Sequence, residues 1–199
     1  MPPETTPSPN YSGRSIGILT WDEAVRSRPK MYFGADREDP ALLIGLIRAV
    51  ASEPFDCPGN EPVNVEIVIE ADLTFAVADN MPLTYPNPGG LPDLRPGDSL
   101  LGRRRWALRA VAALTTSTTV EVRTAGRIWR QELAGSRAIA GPRDGGASDR
   151  QGIRVTFDLD HGYFPQGAAL PRGIAKLLWA TPMEPGSGSL TLTDSRASG

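Results

Sequence analysis

The sequence predicts an α+β two-layer sandwich, and three observations lead there. Apolar and polar residues alternate over 63–70, and strand-like stretches recur at 117–124 and 127–134, the pattern of half-buried strands. Short turns, Ala71-Asp72 and Ala125-Gly126, join neighbouring stretches as antiparallel hairpins. Helical periods fall between the hairpins singly and in pairs rather than after every strand, which argues against a parallel βαβ series.

Each element has its own signal. Residues 1–15 are rich in Pro, Ser and Thr and read as a flexible arm, with one domain following over 16–199. Trp21 to Arg28 reads as a short helix, with Thr20 as its cap and Pro29 as its stop. A longer helix is expected over 39–53, with Leu43, Leu46, Ile47 and Val50 on one face and Ile44, Arg48 and Ser52 along another. Residues 54–62 form a loop, 63–70 a strand, and 73–79 its hairpin partner. The Pro- and Gly-rich stretch 81–99 has no core-forming period, and a loop that long is usually functional or mobile. A second long helix is expected over 101–114, then the hairpin 117–124 and 127–134, a polar Gly-rich loop over 136–151, a strand over 152–160, a helix over 167–180 and a last strand over 189–193.

Composition narrows the function classes. The chain has 199 residues and a net charge of −2, from 21 basic against 23 acidic residues, so no global basic field draws in nucleic acid. Cys57 is the only cysteine, which rules out an intrachain disulfide, and the single His161 lies in a turn-like Asp-His-Gly-Tyr. One His and one Cys without clustered spacing argue against a zinc site or a Cys/His nucleophile pair, so His161 reads as structural or solvated. No apolar run approaches the ~20 residues of a membrane span, and the N-terminus lacks signal-peptide features; a cytoplasmic location is the expectation.

The stretch Trp21-Asp-Glu-Ala-Val-Arg-Ser-Arg-Pro-Lys-Met-Tyr-Phe-Gly34 resembles the opening of the ATPase domains in the B subunits of DNA gyrase and topoisomerase IV, whose pattern is approximately L-E-A-V-R-x-R-P-x-M-Y-I-G. The order of the later elements agrees as well, so the resemblance spans about residues 10–194. It implies the Bergerat (GHKL) ATPase fold, a mostly antiparallel mixed sheet covered by helices on one face, shared with chaperone, mismatch-repair and histidine-kinase ATPases. It also implies that the arm reaches over a partner protomer and that Tyr11 touches the partner's nucleotide. A homodimer through the arm, or pairing with gyrase or topoisomerase subunits, follows as the expected partnership; direct DNA binding does not.

The resemblance fails where it would specify ATP chemistry. Its general base and Mg²⁺ ligand fall on Arg48 and Ser52. Arginine stays protonated and has no acceptor, so it cannot activate water, and a Ser hydroxyl is a weak Mg²⁺ ligand without carboxylate help. The adenine-reading motif D-x-G-x-G appears as Asp79-Asn80-Met81-Pro82-Leu83, in which Asp79 survives as an acceptor while Met81 and Leu83 replace both glycines. Asp79 reads equally as a carboxylate capping a turn at the strand end. The phosphate loop G-x-x-G-x-G appears as Gly102-Arg103-Arg104-Arg105-Trp106-Ala107, which reads either as a solvated basic turn or as an anion contact. The lid is short, and Ile153 stands where the resembled domains carry an adenine-binding Thr. The chain also stops at about the last strand of the resembled domain, before its transducer.

The expectation is a stand-alone pseudo-ATPase that acts as a binding, regulatory or dimerisation module, with no catalytic residues, no metal site and no cofactor. The alternative is an ATP- or ADP-binding protein, or weak ATPase, that uses Asp79, Asn80, Gly102, Arg103, Arg104, Arg105 and Tyr11. A pocket repurposed for another chemistry is a third reading.

Overall fold

The structure, a computed structural model, describes residues 18–56, 62–81, 94, 99–102, 105–174 and 188–196. The expectations for the arm with Tyr11, and for Cys57, Leu83, Arg103 and Arg104, lie outside the described residues.

Among the described residues, four helices, α1 (Trp21–Ser27), α2 (Pro29–Phe33), α3 (Ala41–Ser52) and α4 (Trp106–Ala112), accompany eight strands. These are β1 (Val63–Ala71), β2 (Thr74–Asp79), β3 (Thr115–Thr124), β4 (Arg127–Ala134), β5 (Arg137–Ala138), β6 (Arg143–Ala147), β7 (Gly152–Leu159) and β8 (Gly188–Asp194). They form one sheet in the order β5-β4-β3-β7-β2-β1-β8, with β6 sharing the β4 edge. Every pairing is antiparallel except β1 with β8, which makes the sheet mixed and mostly antiparallel as expected.

Period-two alternation decides the sheet's two faces. Ile67, Val77, Val155 and Val120 lie in register across four strands and are buried, and Phe75 packs on Phe157 with ring centroids 5.1 Å apart. Leu42, Leu43, Leu46, Ile47, Val50 and Ala51 of α3 and most of α4 belong to the same core. Fully burying each Val, Leu or Ile side chain among them contributes about 1.5–3 kcal/mol.

The motif from Trp21 to Gly34 is a bracket holding the helical layer. Thr20 and Glu23 form a reciprocal capping box at the start of α1. Arg26 Nε donates to the Ala113 carbonyl at the end of α4 (2.8 Å) and Nη1 to Asp160 Oδ2 (2.8 Å), so a cation sits where the helix dipole is negative. Burial pushes the Asp160 carboxyl up, but hydrogen bonds from Arg26 and the Gly162 backbone outweigh it and hold it below the ordinary value. Trp21 stacks edge-on against Tyr32 and donates from Nε1 to the Arg109 carbonyl. Gly34 ends α2 in the left-handed region (φ 79°), the conformation glycine adopts without steric cost.

Four expectations need correction. The second long helix is α4 alone, starting at Trp106 rather than 101, because Leu100, Leu101 and Gly102 form a turn whose Leu100 N–H donates to Gln131 Oε1. The loop 136–151 contains β5 and β6; their Gly and Arg content carries little strand signal, and pairing with β4 supplies the order. Strand β3 begins at Thr115, two residues early. The described part of the expected helix 167–180, residues 167–174, is turns and irregular backbone.

Candidate functional site

Asp79 continues the inward-facing series Phe75, Val77 at the end of β2, and it lies in register with Val65 on one side and Ile153 on the other. Alternation therefore carries a carboxylate into the core, where an unpaired charge is costly. Its side chain is 1% exposed. Gly152, at φ +125°, lies against the Asp79 backbone so closely that a Cβ would overlap the Asp79 carbonyl.

The partner is Arg105, from the residue just before α4. Its Nη2 donates to Asp79 Oδ2 (2.7 Å) and its Nε to Glu53 Oε2 (3.0 Å). Glu53 opens the 3-10 turn Glu53–Asp56 that follows α3. All three residues are buried. The other oxygen of each carboxylate accepts from backbone: Asp79 Oδ1 from Met81 N–H (3.0 Å), and Glu53 Oε1 from Ala107 N–H (2.8 Å) in the first turn of α4. Burial alone would lower the Arg105 pKa, but the charges and hydrogen bonds of Asp79 and then Glu53 outweigh it and leave it above its ordinary value. Among the described residues no buried side-chain nitrogen or oxygen lacks a partner.

Arg105 is thus buried in ion pairs rather than a member of a solvated basic turn. Asp79 does cap a turn through Met81, and it binds Arg105 as well. Asn80 is occupied in joining strand ends: its Oδ1 accepts from Asn64 N–H (2.7 Å) and its Nδ2 donates to the Pro62 carbonyl. Gly102 closes a turn onto Ser99 at φ 67°. Arg48 and Ser52 are exposed on α3, and the Ser52 hydroxyl donates to the Ala49 carbonyl. Ile153 is buried beside Asp79. His161 is exposed in a turn. Among the described residues no group of His, Cys, Asp or Glu could hold a metal ion, and no described helix is long and apolar enough to cross a membrane.

Sequence reasoning missed Glu53. It also missed the pairing of Asp79 with Arg105, since Asp79 reads from sequence as an adenine acceptor or a turn cap, and Arg105 as part of a basic turn or an anion contact. Nothing local marked a glutamate at the end of α3 as the second anchor. A cleft of about 250 Å³ lies elsewhere, lined by Thr119, Arg130, Glu132 and Arg143 among others, and holds none of the residues nominated from sequence.

A mixed, mostly antiparallel sheet with helices packed against it, and an inward carboxylate at the end of a central strand, define a Bergerat-like α+β sandwich. No family model matches the chain. It is 28% identical over 176 residues to the B subunit of DNA topoisomerase 4 from Staphylococcus aureus strain MW2, covering 78% of this chain and 26% of that protein. The same protein of strain N315 matches to the same extent. The similarity is distant and fits a GHKL-like relationship, and the chain spans about a quarter of the length of the curated relatives it matches.

Proposed function

We propose that this chain is a gyrase B-like module of GHKL architecture that works by binding rather than by hydrolysing ATP. The observation that carries this reading is the bond between Arg105 Nη2 and Asp79 Oδ2. Asp79 matches the residue that accepts from the adenine amino group in the resembled domains. A base entering that position would have to displace a buried guanidinium held by two carboxylates.

The rest of the pocket argues the same way. The Ala107 N–H, in the helix turn where the resembled loop holds phosphate, is taken by Glu53, and a phosphate there would meet a carboxylate. Arg48 stands at the general-base position, and losing a positioned base costs about 10²–10⁴ in rate. The distant similarity to the B subunit of topoisomerase 4 supports a topoisomerase-type protein as the partner.

Calorimetry of the purified chain with ATP and ADP, with and without Mg²⁺, tests the first part; saturable micromolar binding would overturn it. The partner reading is tested by mixing the chain with gyrase and topoisomerase subunits of its own host in sedimentation. Failure to co-sediment with any of them removes it.

A further inference from the structure

The two ends of the sheet differ in how they meet solvent. At one end β4 is edged by β5, 2 residues long, and by β6, which carries Arg143 and Asp144 and slips register at Ile128/Trp129. Short strands, charges and bulges are the usual devices that stop a sheet edge from pairing with another chain. β8, at the other end, has none of them. It runs beside β1 for 7 residues, Gly188 to Asp194, without a register shift, and contains no Lys, Arg or Pro. Its single charged side chain, Asp194, is held by Arg196. Among the described residues β8 pairs with β1 alone.

One bond fixes the direction of its backbone groups. Ser195 N–H donates to the Ile69 carbonyl of β1 (2.8 Å). These groups alternate sides along a strand, so Ser189, Thr191 and Thr193 also aim theirs at β1, while Leu190, Leu192 and Asp194 aim theirs outward. The side chains divide as well. Leu190 and Leu192, in register with buried Val65 and Ile67, are half-buried on the core side, and Ser189, Thr191 and Thr193 are exposed on the other. The run Ser189-Leu190-Thr191-Leu192-Thr193 reads the same in both directions once Ser and Thr are taken as equivalent.

We propose that β8 is a homotypic docking edge whose partner is β8 of a second copy of this chain, paired antiparallel about a two-fold axis through Thr191. A two-fold interface must be complementary to itself, and this register is. The outward N–H and C=O of Leu190 bond those of Leu192 in the second copy, and the reverse. The leucines meet on the core side, where each covers apolar surface the other leaves exposed. On the opposite side Thr191 meets Thr191 and Ser189 meets Thr193, hydroxyl pairs that suit neighbouring strands. Charge agrees with the same register: Asp194 lies opposite Gly188, so no like charges face each other across the axis. The inference does not depend on how the Asp79 pocket is read, and it adds a surface for a second copy away from that pocket.

Sedimentation velocity and hydrogen exchange on the full chain test it. An interface of two strands is small, which places the dissociation constant in about the micromolar-to-millimolar range, so the chain is run from about 10 µM to 1 mM. The wild type should pass from monomer to dimer over that range. T191E sets two like charges against each other at the axis and should weaken the dimer at least about tenfold. T191K should weaken it less, because Glu66 lies beside Thr191 in register and offsets the lysine. An equimolar mixture of T191E and T191K should dimerise at least as well as the wild type. Both variants lose the same 3.5 Å bond from the Thr191 hydroxyl to the Val65 carbonyl, so the mixture isolates the charge. Exchange needs no variant: the Leu190 and Leu192 amides should gain protection as concentration rises, while those of Thr191 and Thr193 stay protected throughout. A wild type that remains monomeric overturns the proposal. So does a dimer that T191E leaves intact, which would put the contact elsewhere. Protection of Leu190 and Leu192 that does not change with concentration also overturns it, since another segment of the same chain would then cover the edge.

Discussion

Replacing Arg105 with methionine removes the cation and keeps most of the side-chain volume. Arg105 is 6% exposed, so water cannot take over its role at Asp79 Oδ2 and Glu53 Oε2. Unit charges about 4 Å apart at an effective dielectric of about 20 attract by about 4 kcal/mol, and here one cation serves two anions. Removing one partner of a buried ionic cluster typically costs about 3–5 kcal/mol, because the remaining charge is stranded. R105M should lose that much in urea unfolding, which for a domain of this size is a drop of about 6–20 °C in melting temperature. The variant E53Q/D79N/R105M removes all three charges of the cluster and should recover a large part of the loss, since replacing a whole buried ion cluster is often close to neutral. A loss under about 1 kcal/mol for R105M, or a triple variant no better than the single one, would refute the claim that the ion bridge holds β2, the 3-10 turn and α4 together.

Other expectations follow from the same geometry. R26L removes the cation at the end of α4 and the Asp160 bridge, and chemical denaturation should show a loss of about 2 kcal/mol, with an unchanged midpoint contradicting the bracket role of the motif. G152A places a Cβ into the Asp79 carbonyl at a φ that L-residues rarely adopt, and should cost about 2 kcal/mol or more, read by the melting temperature. Asp194 is held down to about 2, from an ordinary 3.8, by its hydrogen bonds from Arg196. A depressed carboxyl stabilises the folded state above its unfolded pKa and loses that contribution as pH falls, so the wild type should lose its advantage over D194N between about pH 4 and pH 2. A stability difference that stays constant over that window would contradict the assignment. If, as proposed, Arg48 and Ser52 stand at the base and metal-ligand positions of the resembled domains, R48E/S52N should still give no ATP turnover in a phosphate-release assay while Arg105 holds Asp79.

Much of the architecture was legible because its causes are local. The capping box at Thr20 and Glu23, the stop at Pro29, the apolar stripe of α3 and the alternation of β1 and β2 lie within a few residues of the structure they dictate. The chain from Trp21 to Gly34 likewise signalled a family resemblance, since its side chains are held to one geometry by what they bracket. Where order comes from a neighbour, the sequence was silent. β5 and β6 are strands because β4 offers its edge, not because Arg143-Asp-Gly-Gly-Ala147 favours extended chain. The turn before α4 depends in the same way on Gln131 from another strand.

By itself, then, the sequence determined the α+β class, the hairpins and the identity of the core faces. Tertiary structure alone decided what became of Asp79. Its cation, Arg105, lies 26 residues along the chain, and Arg105 in turn binds Glu53 across 52 residues, distances that no local period records. They meet because burying a carboxylate on the inner face of β2 demands a cation there, and the fold brings one from the start of α4, with a second carboxylate from the end of α3 to share it.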